Sequence, residues 1–282
     1  MTVSVLGVVG AGFMGSGIAE AAAEAGKHVL LYEPDEEPLA RSGERMTESL
    51  ARAVDRGKLT REHADSVLEH MVPTTRIDDL RGADAVVEAV IEDVGVKTRV
   101  FAELDERLPD ARFLASNTPS IPIAQLASAT QRPERVVGIH FFSPVPAMKL
   151  VEVVVGLDTT EETVAAAEEF AADIGKRPIR TKDRSGFIVN MLLVPYLMAA
   201  VRMYEDGFAS REDIDEGMRL GCGHPMGPLA LCDLIGLDVL YAVCDSLYEE
   251  FKRDEYAPPP LMKRMVASGR LGRKSGRGFY DY

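Results

Sequence analysis

The stretch VSVLGVVGAGFMGSGIAEAAAEAG near the start of the chain leaves few folds open. VSVLGVVG reads as a short apolar strand. It runs into GAGFMG, residues 10–15, with the spacing G-x-G-x-x-G, and small residues at helical spacing follow. A glycine turn between a strand and a helix is the entry to a dinucleotide-binding βαβ unit. Gly10 permits the tight turn, Gly12 lets the backbone approach a pyrophosphate, and Gly15 lets helix and strand pack closely. Phe13 and Met14 complete the loop. The start of the helix offers N–H groups and partial positive charge to the phosphates.

The loop alone is a weak signal, and Glu33 strengthens it. Glu33 ends the next strand, HVLLYE, 23 positions after Gly10. A carboxylate there accepts the ribose hydroxyls of an adenosine and repels a 2′-phosphate, which favours NAD over NADP. FAD uses the same loop, and a glycine turn with an incidental glutamate is the plain alternative. Context and spacing together favour NAD.

Strand-like and helix-like segments alternate through the first half. ADAVVEAV, ARFLASN, RVVGIHFF and KLVEVVV are further strand candidates, and VKTRVFAELDERL and TTEETVAAAEEFAADIG are helix candidates. This pattern predicts an α/β fold, a Rossmann-like, doubly wound, mostly parallel sheet with helices on both faces. After residue 182 the apolar residues recur only at helical spacing. The expected organisation is a dinucleotide-binding domain over 1–183 and an all-α domain over 184–282. A length of 282 residues with 46% apolar content suits two such domains.

Net charge is −13, so no basic footprint for nucleic acid is present. No apolar run is long enough to predict a membrane span. The first residues lack the basic region of a secretory signal. Cys222, Cys232 and Cys244 have no paired-ligand spacing, and Cys222 with His224 supplies only two ligands, so no metal is expected. A cytoplasmic location is the corresponding expectation.

VVGIHFFSPVPAMKLVEVVV, residues 136–155, sets an ionisable residue inside each of two apolar runs: His140 in the first and Glu152 in the second. The plain reading is a satisfied core histidine and a solvent-facing glutamate. In a dinucleotide-binding domain a second reading arises. Histidine titrates near neutrality and is the usual base for a hydroxyl proton. A hairpin through SPVPAM would place Glu152 beside His140, where it fixes the imidazole tautomer.

With these residues in view, the chain resembles the 3-hydroxyacyl-CoA dehydrogenases, above all their short bacterial 3-hydroxybutyryl-CoA form. LGVVGAGFMGSGIA, VVEAVIEDVGVK, FLASNT, HFFSPVPAMKLVEVV, SGFIVNMLLVPYLMAA, HPMGPLALCDLIGLD and LGRKSGRGFYDY carry the resemblance along essentially the whole length. It implies NAD-dependent oxidation of a 3-hydroxyacyl thioester, with His140 as base, Glu152 as its orienting partner and Asn190 as a hydrogen-bond donor to substrate. It assigns Glu92, Lys97 and Lys274 to the cofactor site. It implies that the helical domain closes the substrate cleft and forms a homodimer.

Two positions depart from the family pattern. SNTSS is written SNTPS, which puts Pro119 where a serine contacts the substrate oxygen, and HFFNP is written HFFSP, which puts Ser143 at a cofactor-lining asparagine. Ser120 or Ser143 is the candidate replacement for the lost contact. The departures leave a carrier-protein thioester or another unusual 3-hydroxy acid as an alternative to CoA, and a non-catalytic NAD-binding protein as a third reading. Arg52, Arg56, Lys58 and Arg61 are candidate contacts for the CoA phosphates, although charged helix faces are usually only solvated.

Overall fold

The computed structural model describes residues 2–282. The chain divides after Asp183 into two compact units. The first unit opens with β1 (Val5–Val9), α1 (Phe13–Glu24), β2 (His28–Tyr32), α2 (Glu36–Asp55), α3 (Arg61–Glu69) and β3 (Met71–Thr74). It continues with β4 (Ala85–Glu88), α4 (Val94–Arg107), β5 (Leu114–Ser116), α5 (Ile123–Ala127), β6 (Val136–Phe141), β7 (Leu150–Val155), α6 (Glu161–Asp173) and β8 (Arg177–Lys182).

The strands form one sheet in the order β3-β2-β1-β4-β5-β6-β7-β8. Every neighbouring pair is parallel except β6 with β7. The chain builds β2 and β3 on one side of β1, then returns to build β4, β5 and β6 on the other. The switch point therefore lies between β1 and β4, where open α/β sheets bind ligands outside the carboxyl ends of their strands. All residues of β4 and β6 are buried. That is why these strands are written as near-continuous apolar runs rather than alternating ones.

The six apolar runs of the sequence are the six inner strands, β1, β2 and β4 to β7. The two that hydropathy passes over, β3 and β8, are the sheet edges. Their sequences, MVPT and RPIRTK, carry a proline each and, in β8, three cations. Proline and charge belong on edges, where one row of backbone groups needs no ladder partner and further pairing is to be discouraged.

The second unit contains α7 (Val189–Glu205), α8 (Arg211–Cys222), α9 (Pro228–Ile235), α10 (Leu237–Phe251) and α11 (Pro260–Ala267). Its core includes Leu197, Val201, Leu229, Leu240, Cys244 and Leu247. GPLALCDLIGLDVLYAVCDSLYEEF is two helices, because Gly236 at φ 103° breaks the run between α9 and α10. The strongly apolar α7 is not covered all round: Leu197 is buried, whereas Leu192 is 73% exposed.

Candidate active site

The glycine loop is held by its own backbone. Gly10 has φ +99°, and a Cβ there would come 2.7 Å from the carbonyl oxygen of Ala89. Any other residue would be strained and would clash with the chain leaving β4. A Cβ on Gly15 would stand 1.8 Å from the Gly10 carbonyl oxygen, so only glycine lets α1 start this close to β1. Gly12 is different. A Cβ there meets nothing within 4 Å. The loop is open on the Gly12 side, where a backbone-bound phosphate chain would lie.

Glu33 joins the same loop. Its Oε2 accepts the Ala11 N–H at 2.9 Å, which fixes the carboxylate at the end of β2. From behind, Arg45 of α2 donates to the Ala11 carbonyl at 2.5 Å and to the Ser16 hydroxyl at 3.1 Å. Gly12 caps α1 without a side-chain hydrogen bond, and no acidic residue occupies the first turn. By contrast α3, α6 and α8 are capped by Thr60, Thr160 and Ser210. The start of α1 retains donors and positive dipole for an external anion. The donor set, the open side at Gly12 and the carboxylate at Glu33 fit NAD. Phe13 is 62% exposed at the rim of the loop, and Met14 packs against the core.

Farther along the sheet, near the carboxyl end of β6, stand His140 and, on β7 beside it, Glu152. The antiparallel register of β6 and β7 sets these two residues directly opposite each other. His140 Nδ1 lies 2.8 Å from Glu152 Oε2, with side-chain exposures of 9% and 0%. A buried carboxylate needs hydrogen-bonding partners, and the imidazole N–H supplies one. The plain reading of Glu152 as solvent-facing is therefore wrong. With Nδ1–H donated to the carboxylate, Nε2 becomes the basic nitrogen of the ring. Phe142 packs against the imidazole at 4.6 Å between ring centroids. The turn that joins the two strands is tied down by Lys176, which donates to the Val145 and Met148 carbonyls at 2.6 and 3.0 Å.

Between the two ends, the carboxyl ends of β4 and β5 hold a polar network that joins the expected Glu92 and Lys97 to Glu88 and Ser116, which the sequence did not single out. Glu88 is fully buried and accepts from Val90 N–H at 2.7 Å, Lys97 at 2.6 Å and the Ser116 hydroxyl at 2.7 Å. Glu92 accepts from the Thr118 hydroxyl and lies 3.3 Å from the Lys97 ammonium. Asn117 accepts the Phe141 N–H at 2.9 Å, which joins the end of β5 to the residue after His140. The signal for Glu88 was present: a lone carboxylate in the apolar run AVVEAV, residues 85–90, poses the same question as His140 does in its own run.

The remaining expected residues are distributed as follows. Lys97 is 1% exposed and spent on Glu88 and Glu92, so it stands behind Glu92 rather than at an open surface. Ser120 is 8% exposed with its hydroxyl turned to Glu92 at 3.4 Å, while Pro119 is half-buried and Ser143 exposed. Lys58, Arg56 and Arg61 are exposed around the turn from α2 to α3, and Arg52 faces Glu48 at 3.4 Å. Asn190 is half-buried in the first turn of α7, and Lys274 is ion-paired with Asp238 at 2.5 Å; both belong to the second unit.

Comparison with known proteins agrees with this geometry. Residues 5–184 match the family model of the 3-hydroxyacyl-CoA dehydrogenase NAD binding domain, and residues 186–282 match that of the 3-hydroxyacyl-CoA dehydrogenase C-terminal domain. A 3-hydroxybutyryl-CoA dehydrogenase of Mycobacterium tuberculosis is 53% identical over 98% of both chains. The crystal structure of M. tuberculosis FadB2 superposes with a TM-score of 0.98 at 52% identity, covering 100% of each chain. That of the (S)-3-hydroxybutyryl-CoA dehydrogenase PaaH1 from Ralstonia eutropha gives 0.94 at 43% identity, covering 100% of this chain and 99% of the other. A glycine loop with its acidic partner, a histidine and glutamate locked in register, and matches to both domain models leave one assignment: this chain belongs to the 3-hydroxyacyl-CoA dehydrogenase family.

Proposed function

We propose that the protein interconverts a 3-hydroxyacyl-CoA, of the short 3-hydroxybutyryl type, and the 3-ketoacyl-CoA, using NAD. The observation that carries this reading is the His140–Glu152 pair, buried and bonded at 2.8 Å near the carboxyl end of β6, as the glycine loop is at the carboxyl end of β1. NAD supplies the hydride acceptor, and the protein supplies orientation and proton transfer.

His140 Nε2 takes the proton of the 3-hydroxyl during oxidation and returns it to the ketone oxygen during reduction. Glu152 holds the ring with Nδ1–H toward itself and stabilises the imidazolium once the proton has arrived. Glu33 receives the adenosine ribose, and the loop Gly10, Gly12, Phe13, Met14 and Gly15 receives the phosphates. Glu92, Ser143 and Lys274 contribute to the cofactor site, with Lys97 holding Glu92 in place. Asn190 donates a hydrogen bond to the substrate, and Lys58 is a contact for the CoA phosphates. Ser120 is turned inward to Glu92, so the oxygen contact that Pro119 cannot make falls to Ser143 or is absent.

The second unit also dimerises in this reading. Leu192 on α7, Phe208 in the turn after it and Leu220 on α8 are 73%, 80% and 74% exposed, apolar side chains that a second subunit would cover. The three cysteines are free thiols, which suits a reducing cytoplasm. Among the described residues no helix is long and apolar enough to cross a membrane.

Steady-state oxidation of NADH with acetoacetyl-CoA tests the reading. Turnover well above that with the same acyl group on a carrier protein is expected. Absence of turnover with the CoA ester, in protein that binds NADH, would contradict it.

A further inference from the structure

The network at the ends of β4 and β5 is electrically unbalanced. One ammonium, Lys97, faces two carboxylates, at 2.6 Å from Glu88 and 3.3 Å from Glu92. Glu88 is enclosed, with Val90 N–H, Lys97 and Ser116 on its two oxygens. The excess negative charge is therefore presented by Glu92, whose side chain is 35% exposed in the loop after β4.

The order of the strands says what meets that charge. A dinucleotide with its adenosine at Glu33, beside β2, and its phosphates at the start of α1 has its other half left to place. That half must pass the ends of β4 and β5 to reach a substrate carbon at His140, on β6. It is a pyridinium cation when oxidised and a neutral dihydropyridine when reduced. The adenosine half is the same in both states.

Building on the reading above, we infer that Glu92 is a specificity-determining residue for the redox state of the cofactor: its charge tightens the oxidised form relative to the reduced one. Glu33 has no such power, because it faces the half that does not change. Lys97 tempers the effect, since it neutralises one of two charges and prevents a buried excess at Glu88.

The test compares dissociation constants for NAD+ and NADH in the wild type, Glu92→Gln and Glu33→Gln. The chain contains no tryptophan, so the fluorescence of NADH itself follows binding, and NAD+ is measured by displacement. Glu92→Gln keeps the shape and leaves the Lys97–Glu88 pair intact. It should weaken NAD+ by about tenfold and leave NADH nearly unchanged, the scale of one unit charge a few ångströms away in a partly solvated site. Glu33→Gln should weaken both forms by the same factor. A Glu92→Gln protein in which both forms shift together, or neither shifts, overturns the inference while leaving the dehydrogenase reading in place. A wild type that binds neither form overturns both.

Discussion

At the β1–β2 end of the site the backbone does the holding, and at the β6–β7 end side chains do. The glycine loop is closed by Gly10 and Gly15, each within 3 Å of another backbone atom if given a Cβ, and Glu33 takes its place by accepting a backbone N–H. His140 and Glu152 owe their positions to strand register, and each is useful only beside the other. The first end has one task, to bind a constant part of the cofactor. The second has to move a proton, which requires a group that titrates and a partner that keeps its proton on the correct nitrogen. The difference teaches that damage at the two ends should appear in different constants: affinity at the first, turnover at the second.

The largest effect that sharpens this contrast, short of removing the base, is expected from Glu152→Gln. The amide keeps the shape of Glu152 but removes the charge that stabilises the imidazolium. Turnover should fall roughly 10- to 100-fold, with NADH affinity within about twofold of wild type. Unchanged turnover would mean that register, not charge, is all that Glu152 provides.

A smaller effect is expected from Glu33→Ala. Loss of a charge-assisted hydrogen bond to the ribose should weaken NADH by about tenfold, and the preference for NADH over NADPH should narrow because the repulsion of a 2′-phosphate goes with it. Turnover at saturating NADH should stay near wild type. A variant that lost turnover instead of affinity would break the division between the two ends.

The two ends also differed in how far they could be read in advance. The loop was legible because three glycines and a carboxylate at fixed spacing describe a backbone conformation. The histidine end was legible only conditionally. The residues of VVGIHFF and KLVEVVV show two strands, but a one-residue slip would send His140 and Glu152 to opposite faces. The resemblance to a family supplied what patterning could not, and the register agrees with it. The edge strands escaped because proline and charge hide strands whose ladder is one-sided. The Glu88–Lys97 pair escaped for another reason. Lys97 lies on a polar helix segment, VKTR, and nothing in that pattern says that its ammonium is turned inward to 1% exposure. Lysine stems can lie along apolar surface while the head reaches a partner well away from the helix.

The most direct measurement on the central claim is made on His140→Ala, with two constants from one preparation: NADH affinity by fluorescence and turnover of acetoacetyl-CoA. Removal of the proton acceptor should cost on the order of 100-fold or more in turnover, while NADH binds as it does to the wild type. Full turnover in His140→Ala with NADH still bound would place the base elsewhere and contradict the account.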